Sequence, residues 1–423
     1  MLPGIGIFGC GKLVHFLVPC LRDKGFRVEA IWGFSDEIAE ETSKQLSIPF
    51  HTSKIDVLLL KKEVQLIIIC CPPHIHPQIV SKSFSIGKHV LSDWPTALDM
   101  DDVRKMVKAA TYYPSLISVL CHPLRFIRTF QLMRTLITSE NYVGDITVVN
   151  ASVSGNHLLD LEDRYTIKCD HFMGGGLLTN IGSHLIDIIS FVTNLKAKNV
   201  HGILRTYAPE SSSNSVIRRV TVDDFCNFQM ELESRYNHLP RPIAIVAINN
   251  HIVGNFNYEL VVCGTKGLLT IRGDNLYGCK FNQKSKSEKY SEELLLQDDE
   301  EVYDESSKLP SFIPKPYIQG MVKLIDALKD AFNTSSDSPV HQAMKRCDNN
   351  ENKHELTKSN NEVITQWFKD AVNVAANFED GEYIQAVIEA IKTSSKNREW
   401  VRVAYKLFSS DLPRSSRKMN GYK

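Results

Sequence analysis

The chain has 423 residues, of which 43% are hydrophobic and 23% are charged, a balance typical of globular proteins. Lysine plus arginine and aspartate plus glutamate each number 49, so no net field attracts nucleic acid or a membrane surface. No run of apolar residues is long enough to predict a transmembrane helix. A chain of this length exceeds one ordinary hydrophobic core, and we expect two domains.

The cysteines and the N-terminus bear on the cellular compartment. The 10 cysteines form no CxxC pair and no His/Cys spacing that suggests zinc, which favours a reducing compartment. Residues 1–21 are apolar enough to resemble a signal peptide. However, the first positive charge is Lys12, glycines interrupt the run, and no small-residue cleavage site follows Pro19. The residues alone favour a cytoplasmic protein, with an uncleaved leader as the open alternative.

The first third of the chain alternates short apolar runs with amphipathic stretches. The short runs predict buried strands, and the 3.6-residue period between them predicts helices. The strands are Ile5–Phe8, Val28–Trp32, Leu66–Cys71, His89–Leu91 and Ile117–Leu120, and the helices are Leu13–Lys24, Ile38–Leu46, Val57–Lys62, Pro77–Ile86 and Asp99–Ala110. This order predicts a Rossmann domain over residues 1–122, with a parallel, doubly wound sheet.

Beyond residue 122 the pattern predicts a C-terminal α+β domain over residues 123–409, with an open, largely antiparallel sheet. The strands are Ile146–Ser154, Val200–Thr206, Thr221–Leu232, Ile243–His251, Tyr258–Cys263 and Leu268–Arg272, the last two joined by a hairpin turn at Gly264–Gly267, and a final strand is Trp400–Val403. The helices are Phe130–Thr138, a helix from Gly174–Gly176 to about Val192, Tyr317–Phe332 and Asp380–Thr393. Residues 284–316 are predicted to form a loop, 333–362 a disordered insertion and 410–423 a loose tail.

The segment Gly9-Cys10-Gly11 has the spacing of a dinucleotide-binding turn. Such a site needs one glycine for the tight turn and another where the backbone meets the pyrophosphate. The segment follows a predicted strand and precedes a predicted helix, whose N-terminus would face the phosphates. The third glycine position is Val14, which weakens the fingerprint. The alternative is a glycine-rich turn that binds no ligand.

The end of the second strand normally indicates which dinucleotide binds. A carboxylate there would hold the ribose hydroxyls of NAD. The positions directly after the strand are Gly33, Phe34 and Ser35. Asp36 lies further along the chain than a ribose-binding carboxylate would. No carboxylate there repels the 2′-phosphate of NADP, and no arginine attracts it. The sequence therefore does not decide between NAD and NADP as the cofactor.

Several motifs together resemble the Gfo/Idh/MocA family of oxidoreductases. They are the glycine turn, Cys71–His76, Ile86–Val90, Leu124–Phe126, Tyr142–Ile146 and, most specifically, Gly174–Gly176 followed by Gly182–Asp187. The resemblance covers about residues 1–280. It implies NAD or NADP as the cofactor, with contacts from Gly9, Cys10, Gly11, Lys12, Leu13, Gly33, Phe34, Ser35, Pro72, His76 and Asp93.

The resemblance also implies catalytic positions, two of which differ here. The family's Glu-Lys-Pro motif is Asp93-Trp94-Pro95, so tryptophan replaces the lysine that polarises the substrate. Removing such a charged donor typically raises the barrier by about 2.7–4 kcal/mol. Trp94 would either stack on a ligand or fill the vacated lysine site. The family's aspartate, one helical turn before its histidine, is Asn180.

The family's histidine is retained as His184, which would be the base that takes the substrate's hydroxyl proton. Arg125 is predicted to lie in the substrate pocket with it. The alternative is that His184 makes only a local hydrogen bond near Asp187.

Two functions follow, and the residues leave both open. The first is an NAD(P)-dependent oxidoreductase acting on a sugar, polyol or related hydroxylated small molecule. The second is a catalytically degenerate dinucleotide-binding or scaffold protein. The opening Met1–Gly4 and the segment Val222–Cys226 resemble the animal glucose–fructose oxidoreductase domain-containing proteins. That resemblance implies an oxidoreductase and a secreted protein, and a role in matrix assembly as proposed for one member of the group. We expect a homo-oligomer in either case, because an open sheet needs a partner or a covered edge.

Overall fold

The computed structural model describes residues 2–155, 158, 167–208, 210–213, 216–234, 240–254, 256–281, 291–298, 314–337 and 371–405. Within these ranges the chain builds two large sheets, each with its own helices. The described cysteines are free thiols.

The N-terminal part forms a 6-stranded, all-parallel sheet. Its strands are β1 (Gly4–Phe8), β2 (Arg27–Trp32), β3 (His51–Thr52), β4 (Val64–Ile69), β5 (His89–Ser92) and β6 (Ser118–Leu120), and the helices between them are α1 (Lys12–Asp23), α2 (Asp36–Gln45), α3 (Ile55–Leu59), α4 (His76–Ser85) and α5 (Met100–Tyr112). The order β3-β2-β1-β4-β5-β6 reverses direction between β1 and β4. Ligands of such sheets bind outside the carboxyl ends of the strands at this reversal.

Local sequence explains these elements. Leu66–Ile69 of β4 is buried, as expected for a strand covered by helices on both faces. Ser35 caps α2 by accepting a hydrogen bond from the Ile38 amide, and Asp99 caps α5 through the Asp102 amide. The predicted doubly wound fold is confirmed.

The C-terminal part forms a 9-stranded sheet in the order β16-β15-β14-β13-β7-β12-β11-β8-β17. Its strands are β7 (Ile146–Ser154), β8 (Ala197–Arg205), β11 (Phe225–Leu232), β12 (Ile243–Asn249), β13 (Asn257–Gly264), β14 (Gly267–Arg272), β15 (Asn275–Lys280), β16 (Glu293–Gln297) and β17 (Val401–Arg402), while β9 (Glu210–Ser213) and β10 (Val216–Arg219) form a separate hairpin. Only β12 and β7 pair in parallel among these strands as described. The predicted open, largely antiparallel sheet is confirmed.

Helices cover one face of this sheet. They are α6 (Arg128–Thr138), α7 (Ser183–Thr193), which follows a π-helical turn at Leu178–Gly182, and α9 (Phe378–Asn397). The segment His171–Thr193 is long and apolar enough to cross a membrane by length and composition, but 83% of its apolar window is buried inside the fold. It therefore has the burial of a core helix.

Helix α8 (Lys315–Asp337) packs mainly on the parallel-sheet part of the chain and not on the 9-stranded sheet, whose strands β7 to β16 precede it in sequence. Ile325 and Leu328 join the core formed by Ile5 and Leu21, so α8 completes the parallel-sheet domain. Sequence alone grouped this helix with the second domain, because its amphipathic pattern does not say which core it covers.

The structure adds strands that the sequence did not predict. These are β3, β9, β10, β15 and β16, all short or polar, and β16 lies inside the predicted loop 284–316. Helix α8 continues to Asp337, past the predicted start of disorder at Asn333. The rest of that insertion, residues 338–362, and the tail 410–423 lie outside the described residues.

Candidate functional site

A cleft of about 400 Å³ lies at the carboxyl ends of the parallel strands. One wall follows β1, β2, β4 and β5, and the other is the segment from Lys168 to Asn180 of the second domain. Its described lining is Gly9, Cys10, Gly11, Trp32, Gly33, Phe34, Ile38, Cys70, Cys71, Pro72, Pro73, Asp93, Trp94, Pro95, Lys168, Met173, Gly174 and Asn180. The cleft therefore sits at the topological switch point where this class of sheet binds nucleotides.

The glycine turn has the shape that a pyrophosphate site requires. Gly9 has φ of +135°, and a side chain there would overlap the carbonyl of Cys70. Gly11 has an ordinary φ of −78°, but a Cβ there would meet no protein atom within 4 Å. Gly9 thus makes the tight turn, and Gly11 keeps the backbone open towards the cleft. No side chain caps the N-terminus of α1, which leaves this helix end available to an anion.

At the end of β2, the cleft has an aromatic and neutral edge. A Cβ at Gly33 would come within 2.9 Å of Cys10 Sγ, so α2 and the glycine turn approach each other closely there. Phe34 is 57% exposed and stacks on the ring of His74, with centroids 6.2 Å apart. Asp36 instead accepts a hydrogen bond of 2.7 Å from the Ser53 amide, and hydrogen bonds from Ser53 lower its pKa.

These residues fit a nicotinamide dinucleotide. The glycine turn and the N-terminus of α1 would hold the phosphates, and Gly33 with Phe34 would border the adenosine half. When bound, the nicotinamide supplies the hydride acceptor or donor of an oxidoreductase. The described residues at this end include neither a carboxylate placed for NAD nor an arginine placed for a 2′-phosphate.

Trp94 forms part of the cleft wall where β5 ends, and its polar group is already used. Its Nε1–H donates a hydrogen bond of 2.5 Å to the carbonyl of Thr179 in the second domain. Its ring packs on His122, with centroids 4.8 Å apart. This geometry supports the interpretation that the indole fills the vacated lysine site.

His184 lies behind Trp94 and does not line the described cleft. Its Nδ1 is 3.0 Å from Nδ1 of His122, so one ring donates and the other accepts. Both rings are buried. Burial, with a smaller contribution from the neighbouring ring, holds the pKa of His184 well below its usual value, and burial lowers that of His122 to about 3. His184 is neutral at pH 7 and is separated from the cleft by an indole.

Arg125 anchors a buried ion network instead of facing the cleft. Its guanidinium binds both carboxylate oxygens of Asp187, at 2.5 and 2.9 Å, and lies 3.1 Å from Asp380 at the start of α9. Burial alone would lower the pKa of Arg125, but the two carboxylates reverse the shift and raise it. This network joins the short helical turn after β6 to α7 and α9.

Asp93 is the carboxyl group on the cleft wall. Burial raises its pKa to about 6, against the opposing effects of the Trp94 amide and the charge of Lys168. The thiols of Cys70, Cys71 and Cys121 interact electrostatically with it, and burial raises their pKa values, so they are uncharged at pH 7.

The structure brings most of the sequence-predicted site residues together. Gly9, Cys10, Gly11, Gly33, Phe34, Pro72, Asp93, Trp94 and Asn180 line the cleft, whereas Lys12, Leu13, Ser35, His76, Arg125 and His184 do not. Ser35 is a helix cap, and the His76 ring lies between the carbonyls of Cys71 and Thr96, at 2.7 and 3.1 Å. Burial lowers the pKa of His76 to about 4.

Sequence reasoning missed Lys168, which lines the second wall. It precedes the glycine cluster Gly174–Gly176, and that closeness was the available signal. Nothing in the local pattern says that this turn faces the carboxyl end of β5.

Comparison with known proteins places the cleft in a family context. Residues 4–120 match a family model described as the oxidoreductase family with an NAD-binding Rossmann fold, and residues 130–270 match the GFO/IDH/MocA C-terminal domain. The chain is 37% identical over 404 residues to glucose-fructose oxidoreductase domain-containing protein 2 of Xenopus tropicalis, covering 95% of this chain and 94% of that protein. It is also 36% identical to glucose-fructose oxidoreductase domain-containing protein 1 of Mus musculus, covering 96% of this chain and 93% of that protein.

Solved structures share the fold. Levoglucosan dehydrogenase in complex with NADH and L-sorbose superposes with a TM-score of 0.71 at 17% identity, covering 95% of this chain and 99% of that one. At this identity the likeness concerns the fold alone.

Proposed function

The chain belongs to the Gfo/Idh/MocA family of NAD-binding oxidoreductases, and we propose that it uses NAD or NADP to oxidise or reduce a sugar, polyol or related hydroxylated small molecule. The observation that carries the proposal is the Gly9–Gly11 turn, with its unobstructed backbone at the uncapped N-terminus of α1. The substrate would lie against Asp93, Trp94 and Asn180 on the same cleft.

The class of substrate follows from what lines that end of the cleft. A carboxylate at Asp93 accepts hydrogen bonds from hydroxyl groups, and the face of an indole packs well on a sugar or polyol. The complex of levoglucosan dehydrogenase with NADH and L-sorbose supports this class by analogy of fold.

The first experiment titrates the purified chain with NADH and with NADPH, followed by a screen of neutral sugars and polyols for turnover. We expect binding of at least one dinucleotide in the micromolar range or tighter. No affinity for either would overturn the proposal. The ratio of the two affinities decides between NAD and NADP.

The proposed role of His184 as the base is tested separately. If it acts from behind Trp94, His184→Gln lowers turnover without changing dinucleotide affinity. Unchanged turnover would assign the proton transfer to another group.

A second candidate is a dinucleotide-binding protein without turnover. The specific observation in its favour is that Trp94 occupies the lysine position and separates the histidine pair from the cleft. If wild type binds the dinucleotide but turns over no substrate, Trp94→Lys/Asn180→Asp should restore the missing charges. Appearance of turnover in the double variant would identify a degenerate enzyme.

We also propose that the chain forms a homo-oligomer through the outer face of the 9-stranded sheet. On this face Ile203 and Ile245 are 42% and 37% exposed, and register places them beside Asn227 and Gln229 of β11. A partner copy on this face would cover these aliphatic side chains together with an open sheet that would otherwise face solvent. Sedimentation equilibrium showing only monomer would refute this.

A further inference from the structure

The proposed reaction calls for a charged hydrogen-bond donor in the cleft, and Trp94 does not supply one. Hydride transfer to or from an oxygen-bearing carbon develops negative charge on that oxygen, and a fixed donor stabilises it. The N–H of Trp94 is neutral and is bound to the carbonyl of Thr179. It therefore cannot serve the substrate while this contact holds.

Lys168 is the cationic side chain among the described residues that line the cleft. It lies on the wall opposite β5, in the short helical turn Ile167–Cys169. The charge lost at position 94 of one domain is thus matched by a charge presented from the other domain.

Two hydrogen bonds hold the backbone at Lys168 and Cys169. Its carbonyl accepts a hydrogen bond of 3.1 Å from the Gly176 amide, and the next carbonyl, of Cys169, accepts one of 3.1 Å from Thr221. A side chain at Gly175 would overlap the carbonyl of Lys168. Gly176 has φ of +101°, a conformation that favours glycine. The glycine cluster therefore fixes the turn that carries Lys168.

Lys168 acts electrostatically on Asp93. Its charge opposes the effect of burial on that carboxyl group, so the two side chains sense each other within the cleft. With a pKa of about 6, Asp93 is mainly ionised above neutral pH. The pair then presents an ammonium donor and a carboxylate acceptor with no net charge.

We propose that Lys168 is the substrate-binding cation of this cleft, donating a hydrogen bond to the reacting oxygen of a neutral polyhydroxylated ligand while Asp93 accepts one from a neighbouring hydroxyl. The inference rests on the proposed function and deepens it. A hydroxyl both donates and accepts, so a neutral polyol satisfies both members of the pair. An anionic sugar acid would place its carboxylate against Asp93 and is disfavoured.

The test compares Lys168→Met, Lys168→Arg and the control Lys108→Met, which removes an exposed lysine from α5 outside the cleft. Calorimetry measures binding of L-sorbose, and of gluconate as the anionic probe, to protein saturated with NADH. We expect Lys168→Met to weaken L-sorbose binding by about tenfold or more, as for loss of a charged hydrogen bond. Lys168→Arg retains most of the binding, and Lys108→Met is unchanged.

A second readout needs neither turnover nor a sugar. Trp94 adjoins Asp93, so its fluorescence should follow the ionisation of that carboxyl, with Asp93→Asn identifying the transition. Among the described residues, the titratable groups that interact electrostatically with Asp93 are Lys168 and the uncharged thiols of Cys70, Cys71 and Cys121. Loss of the ammonium should move the midpoint to higher pH in Lys168→Met and leave it in place in Lys108→Met.

The outcomes separate this inference from the function on which it rests. Unchanged L-sorbose binding in Lys168→Met, a preference for gluconate, or NADH binding without any sugar binding would each overturn the role of Lys168. Absence of dinucleotide binding would overturn the proposed function instead. In that case an unmoved fluorescence midpoint would still refute the pairing with Asp93, and a raised midpoint would support it.

Discussion

Alanine substitution of the two glycines in the turn after β1 should affect different properties: stability at Gly9 and dinucleotide affinity at Gly11. Gly9→Ala places a side chain at φ of +135° and against the carbonyl of Cys70. The backbone strain alone costs about 1–3 kcal/mol, and the overlap adds to it. Gly11→Ala meets no protein atom within 4 Å at an ordinary φ of −78°. Its poorer helix cap is offset by about 0.4–1 kcal/mol of lost unfolded-state entropy, so stability should change by less than about 1 kcal/mol.

Dinucleotide affinity should separate these variants further. The methyl group of Gly11→Ala projects where the pyrophosphate must approach, and we expect the dissociation constant of NADH to rise at least about tenfold, or ~1.4 kcal/mol. Urea unfolding gives the stability of each variant, and nicotinamide fluorescence gives the affinity. Wild-type affinity in Gly11→Ala would refute a phosphate site at this turn. Wild-type stability in Gly9→Ala would refute the close approach to Cys70.

Three further changes test the surroundings of the cleft. Arg125→Met should destabilise the fold by about 3–5 kcal/mol in urea unfolding, because it strands the buried carboxylate of Asp187; a loss below 1 kcal/mol would contradict a buried network. Because the folded pKa of Asp93 is raised to about 6, its protonated form favours folding, and that contribution is lost as pH rises from about 4 through 6. The free energy of unfolding of Asp93→Asn should therefore rise relative to that of wild type as pH increases across this window. A difference in free energy that does not change with pH would refute the raised pKa of Asp93. Gly175→Ala should displace the Lys168 turn and weaken L-sorbose binding more than NADH binding. An equal loss of both affinities would argue against an effect transmitted through Lys168.

Local sequence was enough for five of the six strands of the parallel sheet, all but the two-residue β3. The strands β1, β2 and β4 are short, mostly apolar runs separated by amphipathic helices, and the glycine spacing marks the turn after β1. Each of these signals is contained within a few neighbouring residues, and burial on both faces of a parallel sheet makes the strands almost uniformly apolar. The short strands β9, β15 and β16 carry no such signal, because pairing with a neighbouring strand defines them.

The sequence by itself therefore determined the Rossmann domain, the open second sheet and the glycine turn after β1, and it showed tryptophan at position 94, where the family resemblance predicts a lysine. Only the tertiary structure decided what the side chain at position 94 contacts. The indole of Trp94 reaches Thr179, and His184 turns to His122 behind it. Lys168 reaches the cleft from the other domain. These contacts join residues far apart in the chain, and their geometry depends on how two cores pack together, which no local pattern of residues records.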